Sequence, residues 1–132
     1  MWIMVAAALV FFMQAGFAML EAGFTRAKSA INVLMKNLMD VSVGMIGYYL
    51  IGFTIMFGAG TYIGTGGFGI MGVDDPAGGA YSTYALFFFQ AAFAATAATI
   101  VSGAIAERAK FHTYVLFSLA LTVFIYPVVG HW

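Results

Sequence analysis

The sequence has no cysteine among its 132 residues, so disulfide bonds, thiol catalysis and zinc–thiolate sites are excluded. Charge is also scarce: 8% of the residues are charged, against about 25% in a soluble domain. The net charge is zero, which gives no reason to expect nucleic acid as a partner. A soluble fold would have to hide more apolar surface than a chain of this length can bury.

Hydrophobic residues dominate instead, at 64% of the chain, and the mean hydropathy is +1.00. They form four long runs, and a membrane-spanning helix needs about 20 mostly apolar residues. The sequence therefore predicts an all-α membrane protein with four transmembrane helices, at about 2–20, 30–57, 84–106 and 113–129.

The basic residues give this arrangement an orientation. They occur in two stretches: Arg26, Lys28 and Lys36 after the first run, and Arg108 and Lys110 after the third. Short connections rich in Lys and Arg remain on the cytoplasmic side of a membrane. We therefore expect a multi-pass protein of the cell membrane (plasma or inner) whose N-terminus lies outside.

The connection between the second and third runs, roughly 58–83, holds nine of the 16 glycines. Gly64, Gly66 and Gly69 have the G-x-G-x-x-G spacing of dinucleotide-binding proteins. That motif binds a nucleotide only when it follows a strand and opens a helix. Between two membrane spans, the pattern favours a turn-rich loop without a cofactor.

Three polar residues, Asn32, Lys36 and Asp40, recur every fourth position near the start of the second run, so they share one helix face. Ionisable groups at membrane depth are costly and normally pair or reach water. The favoured interpretation is a structural cluster whose lysine extends toward the cytoplasmic interface. A coupling or gating element is the alternative.

The third run carries two patterned faces. Small residues that allow close helix packing recur every fourth position, at Ala94, Ala98, Ser102 and Ala106. An adjoining stripe contains Phe89, Phe93, Ala97 and Val101. The two rings fit ordinary aromatic packing, or a constriction over a pore with π faces available to a small cation.

Nothing in the sequence points to catalysis or metal binding. His112 and His131 have no second ligand at metal spacing, and no Ser–His–Asp or paired-carboxylate arrangement is present. The chain is therefore predicted not to be an enzyme and to hold no metal or cofactor. Pro127 cannot donate to the carbonyl of Val123, so the fourth span is expected to kink or end there.

Several stretches together resemble the ammonium transporter (Amt, methylammonium permease, Rhesus-related) family. They are QAGFAMLEAG at 14–23, RAK at 26–28, Asn32, Lys36-Asn37, Asp40, FQAAFA at 89–94, SGAIAER at 102–108 and YPVVGHW at 126–132. The resemblance implies an eleven-span protomer of two inverted five-helix repeats, assembled as a homotrimer with one pore per subunit. It implies ammonium or methylammonium as substrate, Phe93 as the first-repeat member of a phenylalanine gate, and Phe89 as an aromatic lining the outer vestibule.

Much of the family's machinery has no counterpart in these residues. The vestibule tryptophan would fall two positions beyond Trp132, and the two pore histidines, the second gate phenylalanine and the second repeat are missing. His131 matches a helix-end histidine of the family rather than a pore histidine. The chain is thus expected to be an N-terminal fragment covering four of eleven spans, and residues 1–132 alone are expected not to transport.

Two alternatives remain open. Amt-like modules also occur fused to signalling domains, where they act as ammonium sensors. A four-helix membrane protein complete as written is the second alternative. The resemblance also leaves open whether a PII-type regulator binds the cytoplasmic face.

Overall fold

The computed structural model describes residues 1–76, 78–105 and 108–132. It contains four long helices, which we call the first to fourth spans: Trp2–Phe24, Ala30–Phe57, Thr83–Ile105 and Phe111–His131. The shortest has 21 residues, which at about 1.5 Å per residue crosses the hydrocarbon core of a bilayer. The predicted all-α fold with four membrane-spanning helices is confirmed.

The first span continues one turn beyond the predicted end near residue 20. Its last turn contains Glu21, which is 6% exposed although it is charged in water. Hydropathy alone placed the end too early, because the glutamate lies between helices rather than at the membrane surface. Ala106, assigned from sequence to the third span, lies outside the described residues.

The second and fourth spans each contain a π-helical turn. In the second span it covers Tyr48–Gly52, and in the fourth Leu121–Ile125. At these turns the N–H groups of Phe53 and Tyr126 donate to carbonyl oxygens five residues earlier in the chain. The widened turn immediately precedes the segment Tyr126–His131, in which Pro127 lies at the start, where a missing N–H is tolerated. The fourth span therefore does not end at Pro127.

Glycines allow the second and fourth spans to approach closely at the π-helical turns. A Cβ on Gly47 would lie 2.8 Å from the side chains of Leu119 and Val123. A Cβ on Gly52 would lie 3.0 Å from the carbonyl oxygen of Thr122, inside the fourth span's own wide turn. The two π-helical turns thus abut, and only a residue without a side chain fits between them.

The third span packs against the other three. Its small-residue ridge is buried at Ala94, Ala98 and Ser102, as the four-residue spacing predicts. The neighbouring helices can approach this ridge closely because it carries no bulky side chain. The ridge therefore forms the centre of the bundle.

We call the end of the bundle near Arg26 and Lys110 the basic end. The opposite end has an aromatic core around Tyr48, which is fully buried. Its ring stacks at 6.0 Å on Phe87 of the third span and meets Tyr126 of the fourth edge-on at 6.1 Å. Phe53 packs against both Tyr48 and Phe87.

The glycine-rich connection folds back over this aromatic end. An isolated antiparallel bridge joins Ala59 and Thr65, and a short 3₁₀ turn covers Gly69–Gly72. The Thr54 hydroxyl donates to the carbonyl oxygen of Gly69, whose φ of +65° favours glycine. The segment follows a helix and not a strand, so it lacks the context that a dinucleotide motif requires.

Candidate functional site

The stripe on the third span is the first candidate site. The rings of Phe89 and Phe93 lie 5.0 Å apart and meet edge to face at 77°. Both are half-buried, as are Ala97 and Val101 further along the same face. The ridge lies about 100° around the helix from this stripe. The third span therefore has two different faces. Within the described residues, the other spans bury the ridge, whereas the stripe is only half-buried.

Gln90 lies beside this stripe and is held by the fourth span. The hydroxyl of Tyr126 donates to Gln90 Oε1 across 3.1 Å. The sequence shows that this amide needs a partner within the membrane, and the structure supplies one from another helix. The tie fixes the rotation of the third span close to the two phenylalanines.

A buried polar cluster at the basic end is the second candidate. Asn37 Nδ2 donates to Glu21 Oε2 across 3.1 Å, and Ser102 Oγ donates to the same oxygen across 3.2 Å. Glu21 Oε1 and Asn37 Oδ1 have no hydrogen-bond partner among the described residues. The first three spans thus meet at one carboxyl group.

The fourth span joins the same cluster through Asp40. Ser118 Oγ donates to Asp40 Oδ1 across 2.7 Å, and the Tyr114 hydroxyl donates to Asp40 Oδ2. The carbonyl oxygen of Ala98 lies 3.3 Å from the same hydroxyl, so the third span is also in contact. All four spans are therefore held at the basic end by buried side-chain hydrogen bonds.

Lys36 belongs to this cluster in a way the sequence did not predict. Its side chain is 0% exposed, so it does not extend to the interface. The ammonium group donates to the carbonyl oxygen of Ala109 across 3.4 Å and lies 5.2 Å from the centroid of the Tyr114 ring. A backbone carbonyl of the connection between the third and fourth spans and a π face thus stabilise the charge within the protein.

Asn32 was expected in the cluster, but the structure places it on the exposed side of the second span. A step of four residues advances about 40° beyond one full turn of a helix. The buried face is centred near Asp40 and Asn37, so Asn32, two steps before Asp40, lies outside it. Asn37 takes the role that the sequence analysis gave to Asn32.

Gln14 connects the first span to the third span about halfway along the bundle. Gln14 Nε2 donates to Thr96 Oγ1 across 3.0 Å, and Thr99 Oγ1 donates to Gln14 Oε1 across 3.0 Å. Both the amide nitrogen and the amide oxygen of Gln14 therefore have hydrogen-bond partners. The arrangement is a structural tie in an otherwise apolar interface.

Sequence reasoning missed most partners in these contacts, although a signal for them exists. Hydroxyl residues recur along one face of the third span at Thr96, Thr99 and Ser102. Tyr114 and Ser118 are four residues apart in the fourth span and so share a face as well. Pairing these faces with Gln14, Glu21 and Asp40 requires the order of the helices around the bundle, which hydropathy does not contain.

The two sites have different chemical capacities. The basic-end cluster is tightly hydrogen-bonded across helices, which suits a structural role. The stripe offers aromatic faces on an apolar surface, which suits weak contact with a small cation or a neutral molecule. Together with the four spans, this arrangement defines a multi-pass helical membrane protein.

Comparison with known proteins gives the family. The sequence profile of the Ammonium Transporter Family matches residues 1–132. Ammonium transporter Amt2 of Archaeoglobus fulgidus is 52% identical over 99% of this chain, which covers 28% of that protein. Ammonium transporter 3 of Dictyostelium discoideum is 46% identical over 99% of this chain, which covers 29% of that protein. The chain belongs to the Ammonium Transporter Family.

A solved structure, described as a sensor Amt protein, has the same fold. It superposes with a TM-score of 0.85 at 38% sequence identity, over 99% of this chain and 32% of its own. The chain thus spans about a third or less of the proteins named here, and the fold of this portion agrees with that of the sensor Amt protein.

Proposed function

We propose that this chain contributes one wall of a transmembrane path for ammonium, in which Phe89 lines the entrance and Phe93 forms part of the gate. The observation that carries the proposal is the two-sided third span. Its ridge is buried among the other spans, whereas Phe89 and Phe93 lie on the half-open face. In the longer relatives, further chain is available to form the opposite wall.

The chemistry of the stripe fits this role. An aromatic face attracts a small cation within about 6 Å without forming a strong hydrogen bond, so the ion can leave again. Moving a bare cation further into an apolar path is expensive. Ammonium transport therefore calls for release of a proton near the gate, with ammonia passing the apolar segment. The groups that relay that proton lie outside these 132 residues. No bond in the substrate other than N–H changes, so the role is transport and not enzymatic catalysis.

The proposed setting follows from the same resemblance. The chain supplies the first four of eleven spans, with its N-terminus outside the cell membrane and the basic end facing the cytoplasm. The location of all Lys and Arg residues toward one end of the bundle supports this orientation. A homotrimer and a PII-type regulator at the cytoplasmic face complete the proposed assembly.

The gate is tested by Phe93→Ala in the complete protein, reconstituted in liposomes. We expect the preference for ammonium over potassium to fall about ten-fold, because an aromatic contact of this strength is lost. The measurement is the flux of ammonium and of potassium across the liposome membrane.

Phe88→Ala is the matched control. Phe88 is on the same helix but packs on Phe11 of the first span, with ring centroids 6.1 Å apart. It should retain the selectivity of the parent protein. Equal selectivity in the parent and in Phe93→Ala would remove Phe93 from the gate.

The similarity to a sensor Amt protein favours a second candidate, an ammonium-sensing module. Sensing requires binding without sustained flux. Ammonium binding measured by calorimetry, together with absent flux in the same liposomes, would identify a sensor. Flux that saturates with ammonium concentration would identify a transporter.

A further inference from the structure

His131, the last residue of the fourth span, is bound on both sides of its ring. Its Nδ1 lies 2.8 Å from the carbonyl oxygen of Met56, in the last turn of the second span. Its Nε2 lies 3.1 Å from the carbonyl oxygen of Gly60, in the glycine-rich loop. The imidazole thus bridges the ends of two spans and the loop between the second and third.

The protonation state of the ring decides whether it can make both contacts. A neutral imidazole has one N–H donor and one acceptor nitrogen, whereas the doubly protonated ring has two donors. Both neighbours are carbonyl oxygens, which only accept. The bridge is therefore complete only when His131 carries two protons, and a neutral ring leaves one carbonyl facing a lone pair.

The elements that His131 contacts place no charged side chain beside it. The two elements against it, the end of the second span and residues 58–65 of the loop, contain no acidic or basic side chain, and Tyr62 is their one titratable group. Within the described residues, the hydrogen bonds of the His131 ring are those to Met56 and Gly60.

A neighbouring contact holds the same loop without a titratable group. Trp132 Nε1 donates to the carbonyl oxygen of Tyr62 across 2.9 Å. Two backbone bonds also hold this loop: Gly64 N–H donates to the carbonyl oxygen of Ile55 in the second span, and Thr65 N–H donates to that of Ala59 within the loop. Their amide hydrogens report whether this part of the loop is closed.

We propose that His131 is a proton-operated latch on the glycine-rich loop. With two protons it ties Met56 and Gly60 together, and after losing one proton it holds only one of them. Acidification, which protonates an imidazole, therefore closes the latch, and alkalinisation loosens it. The proposal concerns the loop and stands whether or not the chain moves ammonium.

The test is hydrogen–deuterium exchange of the complete protein in lipid nanodiscs, read on the peptide containing residues 58–65. His131→Gln at the same pH is the reference, because glutamine has one amide group and cannot donate to both carbonyls in this geometry. We expect the parent loop to exchange on the order of ten-fold more slowly than this reference near pH 5, as loss of a charged hydrogen bond implies. Near pH 8 the two should converge to within about three-fold, since each then holds one carbonyl.

Two further variants separate the latch from general stability. His112→Gln changes the other histidine of the chain, which is exposed at the basic end, and should leave the pH dependence intact. Trp132→Phe removes a donor that does not titrate, so the loop should exchange faster at every pH while keeping its pH dependence. A ratio between parent and His131→Gln that is the same near pH 5 and pH 8 would overturn the latch. If His131→Gln fails to fold, a pH-independent exchange rate in Trp132→Phe, after correction for intrinsic exchange, would overturn it equally.

Discussion

The two ends of the bundle are held together by different means. At the basic end, buried carboxyl groups of Glu21 and Asp40 accept hydrogen bonds from side chains of other helices. At the opposite end, aromatic rings pack closely and side chains such as His131 bind backbone carbonyls. A side-chain acceptor can be removed by one substitution, whereas a carbonyl cannot. Substitution of a polar residue is therefore expected to destabilise the basic end more. A change in side-chain volume is expected to destabilise the aromatic end more.

Asp40→Ala should have the largest effect on stability. It removes the acceptor of two buried hydroxyls, on Tyr114 and Ser118, in the cluster that also contains the buried Lys36. Breaking such a buried charged network costs about 3–5 kcal/mol. Reversible denaturation of the complete protein in detergent micelles measures it. Asp40→Asn retains one acceptor oxygen and should lose clearly less; equal losses would show that the hydroxyl contacts contribute little.

Gly52→Ala tests the aromatic end through volume. The added methyl would lie 2.7 Å from Tyr48 Cδ2 and 3.0 Å from the carbonyl oxygen of Thr122. Overpacking of this kind costs about 1–3 kcal/mol. Gly16→Ala is the control, because its Cβ would meet nothing within 4 Å. The same denaturation assay should show loss for the first variant and none for the second; matching results would contradict the close approach of the two wide turns.

Gln14→Ala should have the smallest effect of the three. It removes the tie to Thr96 and Thr99, and interhelical hydrogen bonds within membranes contribute about 1 kcal/mol. A double-mutant cycle with Thr99→Val isolates the pair, and a coupling energy of about 0.5–1 kcal/mol is expected. Strictly additive losses would mean that Gln14 acts through packing alone.

The number and approximate position of the spans could be predicted from the sequence because every helix that crosses the bilayer needs about 20 mostly apolar residues. The ridge and the stripe on the third span were visible for a related reason: residues four apart share a face in any straight helix. Ala98 and Phe93 each lie on the side that this periodicity assigns. These features depend on local pattern only.

What could not be predicted depends on contacts between distant segments. The choice of Asn37 over Asn32 follows from which side of the second span the other helices cover. The acceptors of Tyr114 and Ser118 lie more than 70 positions earlier in the chain. The wide turns leave no trace in hydropathy, although Gly52 and Pro127 mark their neighbourhood. Local propensity contains none of this information.

The wide turn at Leu121–Ile125 has a consequence for the length of the fourth span. Such a turn holds one residue more than an ordinary helical turn, so it sets the rotational phase of everything that follows. Deleting a single residue there would restore a regular helix and leave the next segment in its present rotational phase, because the wide turn already absorbs one extra residue. A deletion in a regular part of the span would instead rotate the rings of His131 and Trp132 by about 100°, away from the carbonyls they now reach. The number of residues in the span, rather than their polarity, sets the direction in which its last side chains point.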